Sequence, residues 1–193
     1  ADGSLDANFF QHKPFMDLFV ENNDAKIVSI GGVHIEPIAF YSDKIENIDD
    51  LAEGDEVLIP NDASNGARAL LLLEKNGVIK LKKGLGTNIT DRDIEKNEKN
   101  LKITPIDAAL LTKNYKDVAG AVINSNFAIN SGLNPLVDGL IIEDKDSIYA
   151  NIIAVKDEDK EKEKIEKLMK AYNSDSVKDF IEKEYEGSIL PAF

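Results

Sequence analysis

At 193 residues, 42% hydrophobic and 31% charged, the chain is long enough for one large domain or two small lobes with real cores. Its 36 acidic side chains outnumber 23 basic ones, and the net charge of −13 repels phosphate backbones and anionic membrane surfaces, which argues against nucleic acid as a partner. No long uncharged apolar run offers a transmembrane helix, and the absence of cysteine removes disulfides, thiolate metal sites and a Cys nucleophile. There is no signal peptide, and Ala1-Asp2-Gly3 without an initiator Met reads as a processed or cut chain.

Residues 5–10 (LDANFF) are apolar and aromatic, suited to a strand entering a sheet before Pro14. Residues 15–20 (FMDLFV) predict a short helix. A strand follows at 26–30, Gly31-Gly32 mark a bulge or a close backbone approach, and 33–41 predict a strand passing between two environments. A short helical turn is expected at 48–51. The stretch 57–77 (VLIPNDASNGARALLLLEKNG) predicts a strand, 57–59, stopped by Pro60 and turned sharply into a helix. Asn61, Asp62, Ser64 and Asn65 are residue types that satisfy free amides at a helix start, and Asn76-Gly77 are a left-handed stop. Such a helix start is an anion site in waiting, to which Arg68 can add a planar two-pronged fork; the bland alternative for Arg68 is a solvated helix residue.

Beyond it, 78–81 are short and apolar, Gly84 and Gly86 open a loop, and residues 90–93 (TDRD) fit a capping box. Strands are predicted at 101–104, 118–123, 140–142 and 148–155, with a small helix at 107–111. A second strand-to-helix turn begins at Asn124, and residues 143–146 form an acidic turn. The C-terminal part is helical: Ile165, Leu168, Met169 and Tyr172 share one face, and a second helix buries Val177, Phe180 and Ile181 and ends at Gly187. The charge run 157–167 is a solvated helix face. Strands alternating with short helices imply an α/β fold with a largely parallel sheet, whose ligands sit beyond the strand ends. Arg68, Asn124 and Asn151 come from three such strand regions.

Catalysis finds little support. There is no G-x-S-x-G elbow, no H-E-x-x-H, no Walker loop and no G-x-G-x-x-G after a strand; Gly84-Leu85-Gly86 is only a fragment of the last. His12 and His34 lie on separate segments, so a metal site would need carboxylates from elsewhere, and no cofactor is expected. His34 and Glu36 share a strand face, read as solvated. The run Phe9 to Phe15, with Gln11 and His12 embedded before a proline bend, can wall a small-ligand pocket.

Six motifs in fixed order, DANFFQHKPF (6–15), GGVHIEPIAFYS (31–42), IPNDASNGARALLLL (59–73), GAVINSNFA (120–128), EDKDSIYANII (143–153) and the terminal ILPAF (189–193), resemble the methionine-binding lipoproteins of bacterial ABC importers. The resemblance spans essentially the whole chain. It implies an α/β, two-lobed, type II periplasmic-binding-protein-like fold, with residues 1–41 and 149–193 forming a discontinuous lobe one and residues 42–148 lobe two. It implies capture of L-methionine in an interlobe cleft, delivery to an ABC permease with its ATPase, and a lipid anchor, absent from this chain, at the outer face of the cell membrane. Carried over by position, Arg68 would pair with the ligand carboxylate, Asn124 and Asn151 would bind its carboxylate and ammonium ends, and Phe10, His12 and Phe15 would line the side-chain pocket. Phe15 stands where the family usually has Tyr, and Ile148 where Pro is common. The family normally opens with a further strand–helix–strand unit, so the resemblance implies an incomplete first lobe and a free sheet edge open to homodimer formation by edge pairing or swapping. The alternatives are a binder of a methionine-containing dipeptide or other apolar amino acid, an enzyme using His12 as base and Arg68 as anion clamp, and an adhesin or signalling receptor on the same lobes.

Overall fold

Each of two sheets in this chain is covered on both faces, and that double burial explains most of the strand sequences. The structure is a computed structural model, and it describes residues 4–85, 89–144 and 147–193. Ala1–Asp2–Gly3, Gly86 of the glycine loop, and Lys145 and Asp146 of the acidic turn lie outside the described residues. The chain divides into a discontinuous unit, Ala1–Glu36 with Lys145–Phe193, and a continuous one, Pro37–Asp144.

The first unit is built on β1 (Asn8–His12), β2 (Ile27–Ile35), β10 (Ala150–Lys156) and β11 (Leu190–Pro191), in the order β1-β10-β2-β11, every neighbour antiparallel. The expectation of a largely parallel sheet fails here for a physical reason. Along β10, Ile153 and Val155 face α5 (Glu163–Tyr172), packing with Ile165, Leu168, Met169 and Tyr172, while Ile152 and Ala154 face α1 (Lys13–Asn23) through Met16 and Val20. A strand covered on both sides reads as a continuous apolar run whichever way its neighbours point. β2 runs unbroken through Gly31-Gly32, with register shifts against β10 on either side of the pair. A Cβ at Gly31 would stand 2.8 Å from Met169 Cε, so the glycine lets α5 close on the sheet. The chain's last residues return to this sheet, Leu190 opposite Ile35 and Pro191 opposite His34, with Ala192 donating to Val33. In α6 (Asp175–Tyr185) Ile181 is buried as predicted, but Phe180 is 58% exposed, because it lies one position off the inward stripe.

The second unit carries a five-stranded sheet ordered β7-β4-β8-β3-β9: β3 (Ala39–Tyr41), β4 (Glu56–Pro60), β7 (Lys102–Ile106), β8 (Gly120–Ile123) and β9 (Gly139–Ile142). β4 pairs parallel with β7 and β8, whereas β3 pairs antiparallel with β8 and β9, so this sheet is mixed. Ala39–Tyr41, expected in lobe one, pair only with strands of this unit, which sets the division at Glu36 rather than at 41. On one face α2 (Ala63–Lys75) packs Ala67, Leu70 and Leu73 against Phe40, Val57, Ile59 and Val122. On the other, α3 (Ala108–Asn114) and α4 (Ser125–Asn130) set Leu111 and Ala128 against Tyr41, Leu58, Ala121 and Ile123. The alternation Phe40/Tyr41, Val57/Leu58 and Val122/Ile123 is the two-residue period of a strand buried on both sides. Gly120 is forced by packing: a Cβ there would stand 2.6 Å from the Tyr41 carbonyl oxygen. A two-stranded ribbon, β5 (Lys80–Leu81) with β6 (Ile94–Lys96), completes this unit. The two ends of the unit are tied together, Glu143 N–H donating to Ile38 O at 2.9 Å.

Candidate functional site

The turn from β4 into α2 forms where the sequence places it, and its chemistry is already partly used. Asp62 caps α2, its Oδ1 accepting from Asn65 N–H at 2.9 Å and from Ser64 Oγ at 3.0 Å. The helix start read as an anion site thus holds the chain's own carboxylate. Asn65 Nδ2 donates to both Asp62 oxygens at 3.1 Å, and Asn65 Oδ1 accepts from Asn124 Nδ2 at 2.8 Å. Asn124 stands at the start of α4 but gives that helix no side-chain cap; its amide turns to Asn65 instead. Asn124 Oδ1 is shielded from solvent and has no hydrogen-bond partner. Gly66 allows the tight turn, since a Cβ would stand 2.9 Å from Pro60 O.

Arg68 is 3% exposed, which overturns the reading of it as a solvated helix residue. Its Nε donates to Glu143 Oε1 at 2.9 Å and its Nη2 pairs with Glu143 Oε2, a two-pronged ion pair between α2 and the end of β9. Glu143, read as part of an acidic turn, is the counter-ion that makes burial of this guanidinium tolerable. A guanidinium carries five N–H donors, and this pair uses two of them.

In the first unit β10 lies between β1 and β2, so Asn151 stands opposite both His12 and His34. Asn151 is 9% exposed, and its Nδ2 lies 3.1 Å from Glu36 Oε1 and 3.1 Å from His34 Nε2, while His34 Nε2 lies 2.8 Å from Glu36 Oε1. The carboxylate is acceptor-only, so both nitrogens direct their hydrogens to it, and Glu36 orients both the imidazole and the amide. Phe9 packs edge-on against His34, centroids 5.3 Å apart. The solvated-face reading of His34 and Glu36 fails because β10 brings Asn151 against them.

His12 is buried and caps α1, Nδ1 accepting from Phe15 N–H at 3.2 Å, and its ring packs edge-on against Tyr149, centroids 5.0 Å apart. Phe10, 68% exposed, meets Phe15 edge-on at 6.0 Å. Both line an apolar cavity of about 230 Å³ with Met16, Phe19 and Ile27. Phe15 therefore touches both Phe10 and His12. Sequence reasoning gave Asn65, Glu36 and Glu143 local roles only and assigned no contact to Tyr149. The D-x-x-N spacing of Asp62 and Asn65 signals a shared helix turn, but the long-range partners of Asn124 and Arg68 have no local signal. No group of three or more metal-ligating side chains occurs among the described residues. Nor, among them, is any helix long and apolar enough to cross a membrane.

Comparison with known proteins places this geometry in a family. The family model described as NlpA lipoprotein matches residues 1–193. A D-methionine-binding lipoprotein MetQ from Salmonella typhimurium is 44% identical over 190 residues, covering 97% of this chain and 70% of the relative; its counterpart from Escherichia coli K12 is 43% identical over the same length. A nutrient binding protein from Burkholderia cenocepacia, solved bound to methionine, is 48% identical with a TM-score of 0.96, covering 99% of this chain and 80% of that one. Lipoprotein Tp32 from Treponema pallidum, 38% identical, superposes with a TM-score of 0.95 over 98% of this chain and 80% of its own. The fold is thus that of periplasmic substrate-binding proteins, and the chain belongs to the NlpA lipoprotein family.

Proposed function

We propose that this chain is the extracytoplasmic component of an ABC importer that captures free methionine and passes it to the permease and ATPase, acting as a binding protein and not an enzyme. One observation carries the reading: a relative nearly half identical over almost the whole chain holds methionine. The side chains we assign to the ligand are Arg68 and Asn124 in the second unit, and Phe10, His12, Phe15 and Asn151 in the first. Arg68 takes the carboxylate, and the asparagines take the polar ends. The aromatic rings supply edges to a thioether, each contact contributing roughly 0.3–1.5 kcal/mol. The enzyme alternative is weaker, since His12 commits Nδ1 to capping α1. A lipid anchor holds the protein at the outer face of the membrane.

Calorimetric titration and thermal melts with L-methionine, D-methionine and a panel of other amino acids test the reading. Methionine at about a hundred times its Kd adds roughly 2.7 kcal/mol to stability, and the ligand is recovered unchanged. Melts unmoved by either enantiomer, with the chain folded by circular dichroism, overturn it; consumption of the ligand replaces it with an enzyme.

A further inference from the structure

We infer that Asp62 and Asn65 are positioning residues that decide which atom Asn124 presents to a ligand: its carbonyl oxygen, an acceptor suited to an ammonium group. The inference rests on the reading of Asn124 as a ligand-binding residue and deepens it.

The argument is one of donors and acceptors taken in series. The Asp62 carboxylate has only acceptors, and both oxygens lie 3.1 Å from one nitrogen of the Asn65 amide. Turning that amide over would set its oxygen against the carboxylate, acceptor facing acceptor. Asn65 must therefore point its NH₂ at Asp62 and its oxygen at Asn124. Across the 2.8 Å contact that oxygen demands a donor, so the Asn124 amide points its NH₂ back and is left with its carbonyl oxygen uncommitted. This oxygen is the buried acceptor that has no partner. Leaving a buried acceptor unsatisfied is costly, so a ligand N–H delivered there regains a loss the fold has already incurred. A ligand carboxylate at the same point would meet acceptor with acceptor, so Asn124 takes the ammonium end and not the carboxylate end that the family resemblance gave it. The fixed charge of Asp62 is thus read out at Asn124 as a preference for a donor.

The test compares ligands as well as variants. Binding of methionine, methionine methyl ester (ammonium kept, carboxylate charge lost) and 4-(methylsulfanyl)butanoate (carboxylate and thioether kept, ammonium lost) is measured in the unaltered protein, Asn65→Ala, Asn124→Ala and the double variant. Asn65→Ala keeps the helix cap, because Asp62 bonds the backbone N–H of residue 65. The expected result is a loss of about tenfold for methionine and its ester in each single variant, with the deaminated analogue changed by less than about twofold. The double variant is expected to be no weaker than Asn124→Ala alone, since the two residues act in series. If Asn65→Ala weakens all three ligands equally, or none, the positioning role is overturned while the binding function stands. If the unaltered protein binds none of them, the function itself fails. Should Asn65→Ala melt far below the unaltered protein, Asn65→Ser supplies the same comparison.

Discussion

Both units fix an asparagine amide with a carboxylate, and they do so by different routes. In the first unit the contact is direct: β10 and β2 are neighbours, strand register puts Asn151 opposite His34, and Glu36 two residues along bonds both. In the second unit the two groups lie on different turns, so Asp62 acts on Asn124 through Asn65. Strand pairing brings distant residues side by side in one step. A helix start offers only local partners, three residues apart, and needs an intermediary to reach further. The second unit also buries a full ion pair, Arg68 with Glu143, whereas the first relies on hydrogen bonds around a histidine.

The contrast can be broken most severely at Arg68. Arg68→Ala leaves Glu143 largely buried and unpaired, and urea unfolding is expected to show a loss of about 3–5 kcal/mol, with Arg68→Ala/Glu143→Ala recovering part of it. Gly120→Ala drives a methyl group into Phe40 and the Tyr41 carbonyl, and a loss of about 1–3 kcal/mol is expected in the same measurement. The two carboxylates separate next: Asp62→Ala loses a helix cap, about 1 kcal/mol, while Asp62→Asn keeps the cap and recovers most of it. Glu36→Ala has no such rescue built into a helix; it is expected to cost about 1 kcal/mol and to broaden the His34 and Asn151 side-chain signals in NMR spectra. Smallest is Gly31→Ala, whose new methyl meets only the flexible end of Met169, so the change is expected to stay under about 1 kcal/mol.

Much of this was legible in the residues because it is local. The Asp62 cap, the capping box at Thr90 and the left-handed Gly77 are decided within a few positions, and all three occur, while β4 runs one residue further than expected, through Pro60 opposite Ile106. Sheet direction was not legible. The apolar runs of β10 and β8 report two-sided burial, which helices α1 and α5 supply to an antiparallel sheet as well as to a parallel one. Nor could the sequence say that Arg68 pairs with Glu143, 75 residues away, or that Phe180 faces water while Ile181 does not. Motif resemblance pointed to Arg68, Asn124 and Asn151, but the residues that orient them emerge only when hydrogen bonds are followed from one side chain to the next.

The order of the strands also has a consequence for synthesis. Pro37–Asp144 is one uninterrupted stretch whose ends are joined at Ile38 and Glu143, so it can complete its fold without any segment that precedes or follows it. The other sheet interleaves early and late segments, β10 lying between β1 and β2 and β11 closing the far side. Until β10 takes its place between them, β1 and β2 have no partner in common, so the first sheet cannot close before its late segments arrive, and its two early strands are the exposed edges a holding chaperone would cover.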